Sequence, residues 1–320
     1  MMETNINYKE FVNQVCSKVK DIIGADYIVY PHEVVKQNDV VLQAIMISER
    51  NRPTKTMPVI YLEQYYEKYK ETKDLDECAE AIIEFYKGLV KKDIDEMVKD
   101  LFEWESICNK IVPVVVSRDK NKMLPKKLVT DTYLDLVVYY IIKFDEVNEE
   151  SSVGVVKISA DMCKGWGITE QELKARARAN MKNDGYVIRT MKSVLKRLML
   201  ENNFGIDISD IEFTDDMLDS LDDDKAYMYV LSNRSNHYGA AGILYTEVLE
   251  QFAEQCNSDF YILPSSLHEL ILMPVEEELR CEELNEMVRQ INKEQVARED
   301  VLENHVYYYD RVTRKMIIMI

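Results

Sequence analysis

The hydrophobic pattern of the chain alternates between segments of helical period and short apolar runs typical of strands. Near the start, apolar residues recur at helical spacing over Phe11–Ile23. Two strand-like runs follow, Tyr27–Val35 and Val40–Ser48, and the turn-prone segment Lys36–Asp39 joins them. This order predicts a β-hairpin that packs against helices.

The middle of the chain continues the mixture of both element types. Strands are predicted at Ile111–Val116, Tyr133–Lys143, Val153–Ile158 and Tyr227–Leu231. Thr169 and Glu172 have the spacing of a capping box, which predicts a helix beginning there. A second helix is predicted over Val187–Leu200, and a further one after the small residues Gly239–Gly242.

The stretch Phe260–Pro274 predicts a buried hairpin, because two apolar runs flank the turn-like segment Pro264–His268. On such a strand His268 would face the same way as Leu270 and Leu272, as a hydrogen-bonded core histidine. A terminal hairpin is predicted from residues 306–309 and 316–319. Hairpins outnumber regular βαβ units, which indicates an α+β fold with mixed or antiparallel sheets and helices on one or both faces.

The same order of elements at both ends indicates two units, an N-terminal helix-hairpin-helix unit over residues 1–110 and a C-terminal α+β unit over residues 111–320. Net charge is −18 and the isoelectric point is near 4.8. A chain this acidic lacks the usual electrostatic attraction to nucleic acid. The apolar run Leu136–Ile142 is far shorter than the roughly 20 residues of a membrane span, and no signal peptide is evident. We therefore expect a soluble, cytoplasmic protein without membrane contact.

Metal and cofactor chemistry find no support in the spacing of residues. Six cysteines are far apart without a CxxC pair, which predicts reduced thiols and argues against a thiolate metal site. The four histidines are isolated from one another, and neither HExxH nor a glycine-rich phosphate motif occurs. The sequence therefore predicts no metal ligands and no cofactor, although a site assembled from distant side chains stays open.

The polar residues Ser265, Ser266, His268 and Glu269 are the catalytic candidates, as a hydrolase with His268 as the base. No G-x-S-x-G elbow supports this hypothesis. The alternative is structural, with both serines accepting hydrogen bonds from turn amides.

Binding candidates come from two other places. Asn233, Arg234 and His237 follow a predicted strand, and Arg176 and Arg178 lie in the basic segment Lys174–Arg197. A cationic face could contact a phosphate backbone, whereas the overall acidity could imitate one. Intramolecular pairing of the basic segment is the alternative, and the acidic run Asp207–Asp224 is typical of a solvated loop.

Several motifs resemble an uncharacterised bacterial family of anaerobic Gram-positive gut bacteria, whose members often occur in mobile and conjugative elements. The motifs are GAAGILY at 239–245, DFYILPSSLHELILMP at 259–274 and HVYYYD at 305–310. The resemblance implies no activity and no catalytic residue. Our leading hypothesis is a non-enzymatic interaction or accessory module, with a protein partner and a role linked to mobile elements. A hydrolase and a nucleic-acid contact or DNA mimic are the alternatives.

Overall fold

The computed structural model of the chain describes residues 6–51, 58–91, 100–144, 155–204, 227–264, 266–275 and 280–320. Its helices are α1 Tyr8–Ile23, α2 Glu63–Thr72, α3 Leu75–Lys91, α4 Trp104–Ile107, α5 Ala160–Trp166, α6 Glu170–Asp184, α7 Met191–Phe204, α8 Thr246–Cys256 and α9 Cys281–Gln295. Short 3-10 helices lie at Gln37–Asp39, Cys108–Lys110 and Gly239–Leu244.

The strands form three antiparallel sheets. They are β1 Tyr27–Val35, β2 Val41–Glu49, β3 Val59–Tyr61, β4 Ile111–Ser117, β5 Thr130–Tyr133, β6 Leu136–Lys143, β7 Val155–Lys157, β8 Tyr186–Thr190, β9 Tyr229–Asn233, β10 Phe260–Leu263, β11 Leu270–Pro274, β12 Val306–Asp310 and β13 Lys315–Met319. The sheet orders are β1-β2-β3, then β4-β6-β5 with β7 also on β6, and β13-β12-β10-β11-β9-β8. These sheets and their helices confirm the α+β prediction.

The N-terminal elements have their own hydrophobic core. The α1 helix begins with a capping box between Asn7 and Glu10, and its apolar face buries Phe11 and Val15 completely. These residues pack in one cluster with β2, β3, α2 and α3, which includes Ile45 and Ile82. A separate core is what a distinct N-terminal unit requires, and the boundary at residue 110 remains a prediction.

The larger core lies between the four-stranded and six-stranded sheets. It includes Tyr139 of β6, Phe260 of β10 and Tyr307 of β12, each fully buried. β10 and β11 pair as the predicted hairpin and occupy the middle of the six-stranded sheet. The predicted terminal hairpin is likewise present as β12 and β13.

Two predicted elements were wrong. The segment Tyr133–Lys143 is not one strand, because Leu134 adopts a left-handed φ of 54° and turns the chain from β5 into β6. Val187–Leu200 is not one helix, because residues through Thr190 form β8 and pair with β9. In both cases the pairing of the backbone with another strand overrides the local apolar period.

The β1–β2 turn docks onto the C-terminal elements. Gln37 is buried and its Nε2 donates to Tyr139 Oη at 2.8 Å. Asn38 has a left-handed φ of 59°, and its Nδ2 donates to the carbonyl oxygens of Val301 at 2.7 Å and Arg298 at 2.9 Å. The turn therefore fixes the N-terminal sheet against β6 and the segment before β12.

Within the described ranges, no helix has the length and apolar character needed to cross a membrane. All six cysteines are free thiols, as the sequence predicted. Burial raises the pKa of the Cys16 thiol to about 11, which makes this thiol unreactive near neutral pH.

Candidate functional site

The turn between β10 and β11 keeps its shape through Ser266. The Ser266 hydroxyl accepts a hydrogen bond from the His268 backbone N–H at 3.0 Å, and its backbone bridges to Val301. His268 precedes β11 and remains one-third exposed, so it is not a core position on the strand, but its imidazole is hydrogen-bonded as predicted. Glu269 is exposed, and Ser265 lies outside the described residues.

The turn after β9 is closed by Asn233. Its side chain donates to the His237 carbonyl oxygen at 2.8 Å and accepts from the His237 backbone N–H at 3.2 Å. The His237 ring lies 5.8 Å from the His268 ring, centroid to centroid, whereas Arg234 is exposed. The structure thus brings together two stretches that the sequence marked separately.

Both nitrogens of His268 face protein groups. Nδ1 accepts from the Tyr238 backbone N–H at 3.3 Å, and Nε2 lies 3.5 Å from Asp300 Oδ1. The nearby Ser232 hydroxyl donates to the His268 carbonyl oxygen, away from the imidazole. The Ser232 and Ser266 hydroxyls contact the backbone of His268 and not its imidazole, so these contacts do not support a hydrolase with His268 as the base.

The imidazole of His268 instead holds Tyr238 in place. Tyr238 has a left-handed φ of 59°, which costs free energy for a bulky residue unless its surroundings fix it. Its ring lies 5.7 Å from the His268 ring, centroid to centroid. Burial raises the pKa of the Tyr238 hydroxyl, with further increases from Asp300 and Tyr61, so this hydroxyl stays protonated and can donate.

Tyr238 belongs to a group of five side chains from both predicted units, which we term the Lys–Tyr cluster. Its members are Lys36, Tyr61, Tyr139, Lys157 and Tyr238. Lys36 Nζ lies 4.0 Å from the centroid of the Tyr61 ring, and Lys157 Nζ lies 5.5 Å from that of Tyr139. Gln37, which follows Lys36 in sequence, donates a hydrogen bond to the Tyr139 hydroxyl. This contact places the turn that carries Lys36 next to Tyr139. The cluster therefore lies where the β1–β2 hairpin meets β6 and β7.

The two lysines of the cluster lie close enough for their positive charges to repel each other. Burial lowers the pKa of Lys157, and the ammonium group of Lys36 lowers it further. In the described part of the chain, neither ammonium group lies within ion-pair distance of a carboxylate. This arrangement is unusual in a chain of net charge −18, and it creates a local positive potential between aromatic rings.

Basic residues on α6 form intramolecular contacts. Lys174 forms an ion pair with Asp131 at 2.7 Å, and Lys182 forms one with Glu247 at 3.2 Å. Arg176 Nε donates to the Cys108 carbonyl oxygen at 3.3 Å. The alternative of intramolecular pairing thus describes these three residues.

Arg178 is exposed and lines a concave region between α6, β5, β6 and the start of α8. This cavity has a volume of about 850 Å³. Its walls include Tyr140, whose hydroxyl donates to Asp131 at 3.1 Å. Because its acidic groups already pair with lysines, the cavity offers less unbalanced charge than the Lys–Tyr cluster.

Sequence reasoning found the residues around His268 but missed the Lys–Tyr cluster. The five residues come from β6, β7, the end of β3 and two turns, so no local spacing connects them. One signal was available, since Lys157 ends an apolar run of a predicted strand. A lysine at a buried strand position is rare without a partner.

A family model described as a family of unknown function (DUF5688) matches residues 8–311. No curated protein and no solved structure matches the chain. The family match spans both predicted units, so the elements that supply Lys36 and Lys157 lie within the same family region.

Proposed function

We propose that this chain, which belongs to the DUF5688 family of unknown function, is a non-catalytic binding protein that takes a small phosphate-bearing ligand at the Lys–Tyr cluster. One observation carries the proposal. The ammonium group of Lys36 lies over the Tyr61 ring and that of Lys157 near the Tyr139 ring, the two charges repel each other, and neither contacts a carboxylate in the described ranges.

Electrostatics favours an anion at this position. Two ammonium groups brought out of water repel each other and lose hydration, and only a counter-charge offsets both costs. A phosphate dianion supplies two negative charges and several acceptor oxygens. Tyr238 and Tyr61 place hydroxyl groups in the same region, so donors for these oxygens accompany the cations.

The position of the cluster suits a ligand that couples two units. Lys36 and Tyr61 belong to the N-terminal elements, whereas Tyr139, Lys157 and Tyr238 belong to the C-terminal elements. A ligand held by both sides would tighten their docking, since it binds only when the two surfaces are together. Ligand sites occur preferentially at such interfaces.

We propose a non-catalytic role because of the groups that surround His268. Its nitrogens are engaged by Tyr238 and Asp300, so the imidazole orients the cluster. The proposed role is therefore more specific than the interaction module that the sequence predicted, because it is the binding of a small ligand. The bacterial and mobile-element setting remains a proposal that the resemblance supports, whereas the cytoplasmic setting and a protein partner remain proposals drawn from the sequence pattern.

Isothermal titration calorimetry with pyrophosphate tests the function. We expect saturable binding of one ligand per chain, and at least a tenfold loss of affinity in Lys157→Gln and in Lys36→Gln, because each variant removes one charge-assisted contact. Lys9→Gln is the matched control, since Lys9 is exposed on α1, and it should bind as the parent chain does.

Two results would overturn the proposal. One is the absence of any heat of binding from the parent chain in low salt. The other is affinity that Lys157→Gln and Lys9→Gln lower equally, which would indicate nonspecific attraction. A preference for succinate over pyrophosphate would reject the phosphate assignment.

A further inference from the structure

A second group of polar side chains lies between the β5–β6 turn and the segment before β12. Asp135 supplies a carboxylate from the turn, and Glu303 and His305 supply a carboxylate and an imidazole from the segment. One donor atom from each residue lies within 4.8 Å of the other two. Glu303 is only 9% exposed, and the other two side chains are 18% exposed.

The contact between His305 and Asp135 is short. His305 Nε2 is buried and lies 2.9 Å from Asp135 Oδ2, a distance that suits a hydrogen bond and equally suits two ligands of one ion. Two donor atoms bound to one metal ion at about 2.1 Å each lie about 3 Å apart with both lone pairs aimed at the ion. The observed spacing fits that arrangement.

The carboxylate of Asp135 is also oriented as a metal ligand would be. Tyr307 Oη donates to Asp135 Oδ1 at 2.8 Å, which leaves Oδ2 directed toward His305. Groups behind a ligand that fix its orientation in this way are typical of metal sites.

We propose that Asp135, Glu303 and His305 bind one divalent transition-metal ion. Mixed carboxylate and imidazole donors favour Zn²⁺ or Mn²⁺ over Ca²⁺, which prefers an all-oxygen site. The ion would connect the β5–β6 turn to the segment that leads into β12, and it would therefore strengthen the packing of the two larger sheets. Spacing rules could not find this site, because Asp135 lies far from the other two residues in sequence.

Lys120 is the competing cation of this site. Its Nζ lies 3.5 Å from Glu303 Oε2 and is buried without a hydrogen-bond partner. A lysine in this position balances part of the negative charge when the metal ion is absent. Its removal should therefore leave Glu303 available and tighten metal binding.

Titration of the metal-free chain with Zn²⁺ by calorimetry, followed by thermal unfolding, tests the proposal. We expect one tight site per chain and a higher Tm with Zn²⁺. Asp135→Asn and His305→Gln should each weaken this site at least about tenfold, and Tyr307→Phe about tenfold. Lys120→Met should strengthen it. His32→Gln, at an exposed position on β1, is the control and should leave the affinity unchanged.

The chain has many exposed carboxylates, so weak binding of several ions does not support the site. Binding that Asp135→Asn and Lys120→Met leave unchanged would overturn the proposal, as would no increase in Tm with Zn²⁺. Circular dichroism of each metal-free variant shows whether it folds. If His305→Gln does not fold, Lys120→Met and Tyr307→Phe still decide the outcome.

Discussion

At the scale of single residues, Lys157 shows how the fold changes the chemistry of one side chain. Its ammonium group is desolvated and lies within the field of Lys36, so its pKa is lower than the ordinary value of 10.5. The folded chain therefore binds this proton less tightly than the unfolded chain does. Between the lowered pKa and 10.5, this residue adds to stability as the pH rises.

Anion binding favours the protonated form of Lys157, because a bound phosphate group stabilises its positive charge. Affinity for inorganic phosphate should thus fall as the pH rises toward 10.5, at pH values where an ordinary lysine is still mostly charged. Calorimetry at several pH values measures the slope. We expect Lys157→Gln to flatten it and Lys9→Gln to preserve it; a slope that persists in Lys157→Gln would exclude this lysine as its origin.

At the scale of elements, the 3-10 helix Gly239–Leu244 is pressed against β9 and the turn before β11. A Cβ atom at Gly239 would lie 2.2 Å from Ser232 Oγ and 2.4 Å from the His268 carbonyl oxygen. These distances explain why a residue without a side chain starts this helix.

Substitution of this glycine should disturb both the fold and the turn of His268. We expect Gly239→Ala to lower the free energy of unfolding by about 1–3 kcal/mol, since the backbone must move to accept the methyl group. Gly88→Ala is the control, because nothing lies within 4 Å of a Cβ there and α3 should gain about 0.5–1 kcal/mol. Urea unfolding measures both; equal stabilities would contradict the close packing.

Local signals predicted those elements that local interactions determine. The hairpins β1–β2, β10–β11 and β12–β13 follow from apolar runs on either side of turn residues, and the capping box at Thr169 opens α6 as expected. β8 was missed because only its pairing with β9 separates it from α7. The Lys–Tyr cluster was missed for the same reason, since tertiary contacts alone assemble it.

At the scale of the whole molecule, Asn38 connects the two cores through a few hydrogen bonds. Its side chain donates twice to the segment 298–301, and its amide N–H donates to Asn121 Oδ1 at 2.7 Å. Its left-handed φ suits asparagine and suits glycine still better. Replacement by glycine therefore removes the side-chain bonds without adding backbone strain.

We expect Asn38→Gly to destabilise the docked state by about 1–3 kcal/mol, because two carbonyl oxygens lose their donors. Asn236→Gly is the control, since this exposed residue has a similar φ of 52° and should change stability little. Thermal unfolding and pyrophosphate titration of both variants check this. If Asn38→Gly weakens neither stability nor ligand affinity, the turn does not hold the units together.

The large sequence separation between Asn38 and its hydrogen-bond acceptor also limits when this contact can form during protein synthesis. Its acceptor on Arg298 lies 260 residues further along the chain. At about 5–20 residues per second, the ribosome needs about 13–52 s to make that partner. All residues of the N-terminal core are synthesised long before then, so this core can fold early. Its docking turn would stay exposed until residue 298 has been made. Binding at the Lys–Tyr cluster also needs Lys157 and Tyr238, so we expect it only after these later elements have been made and have docked.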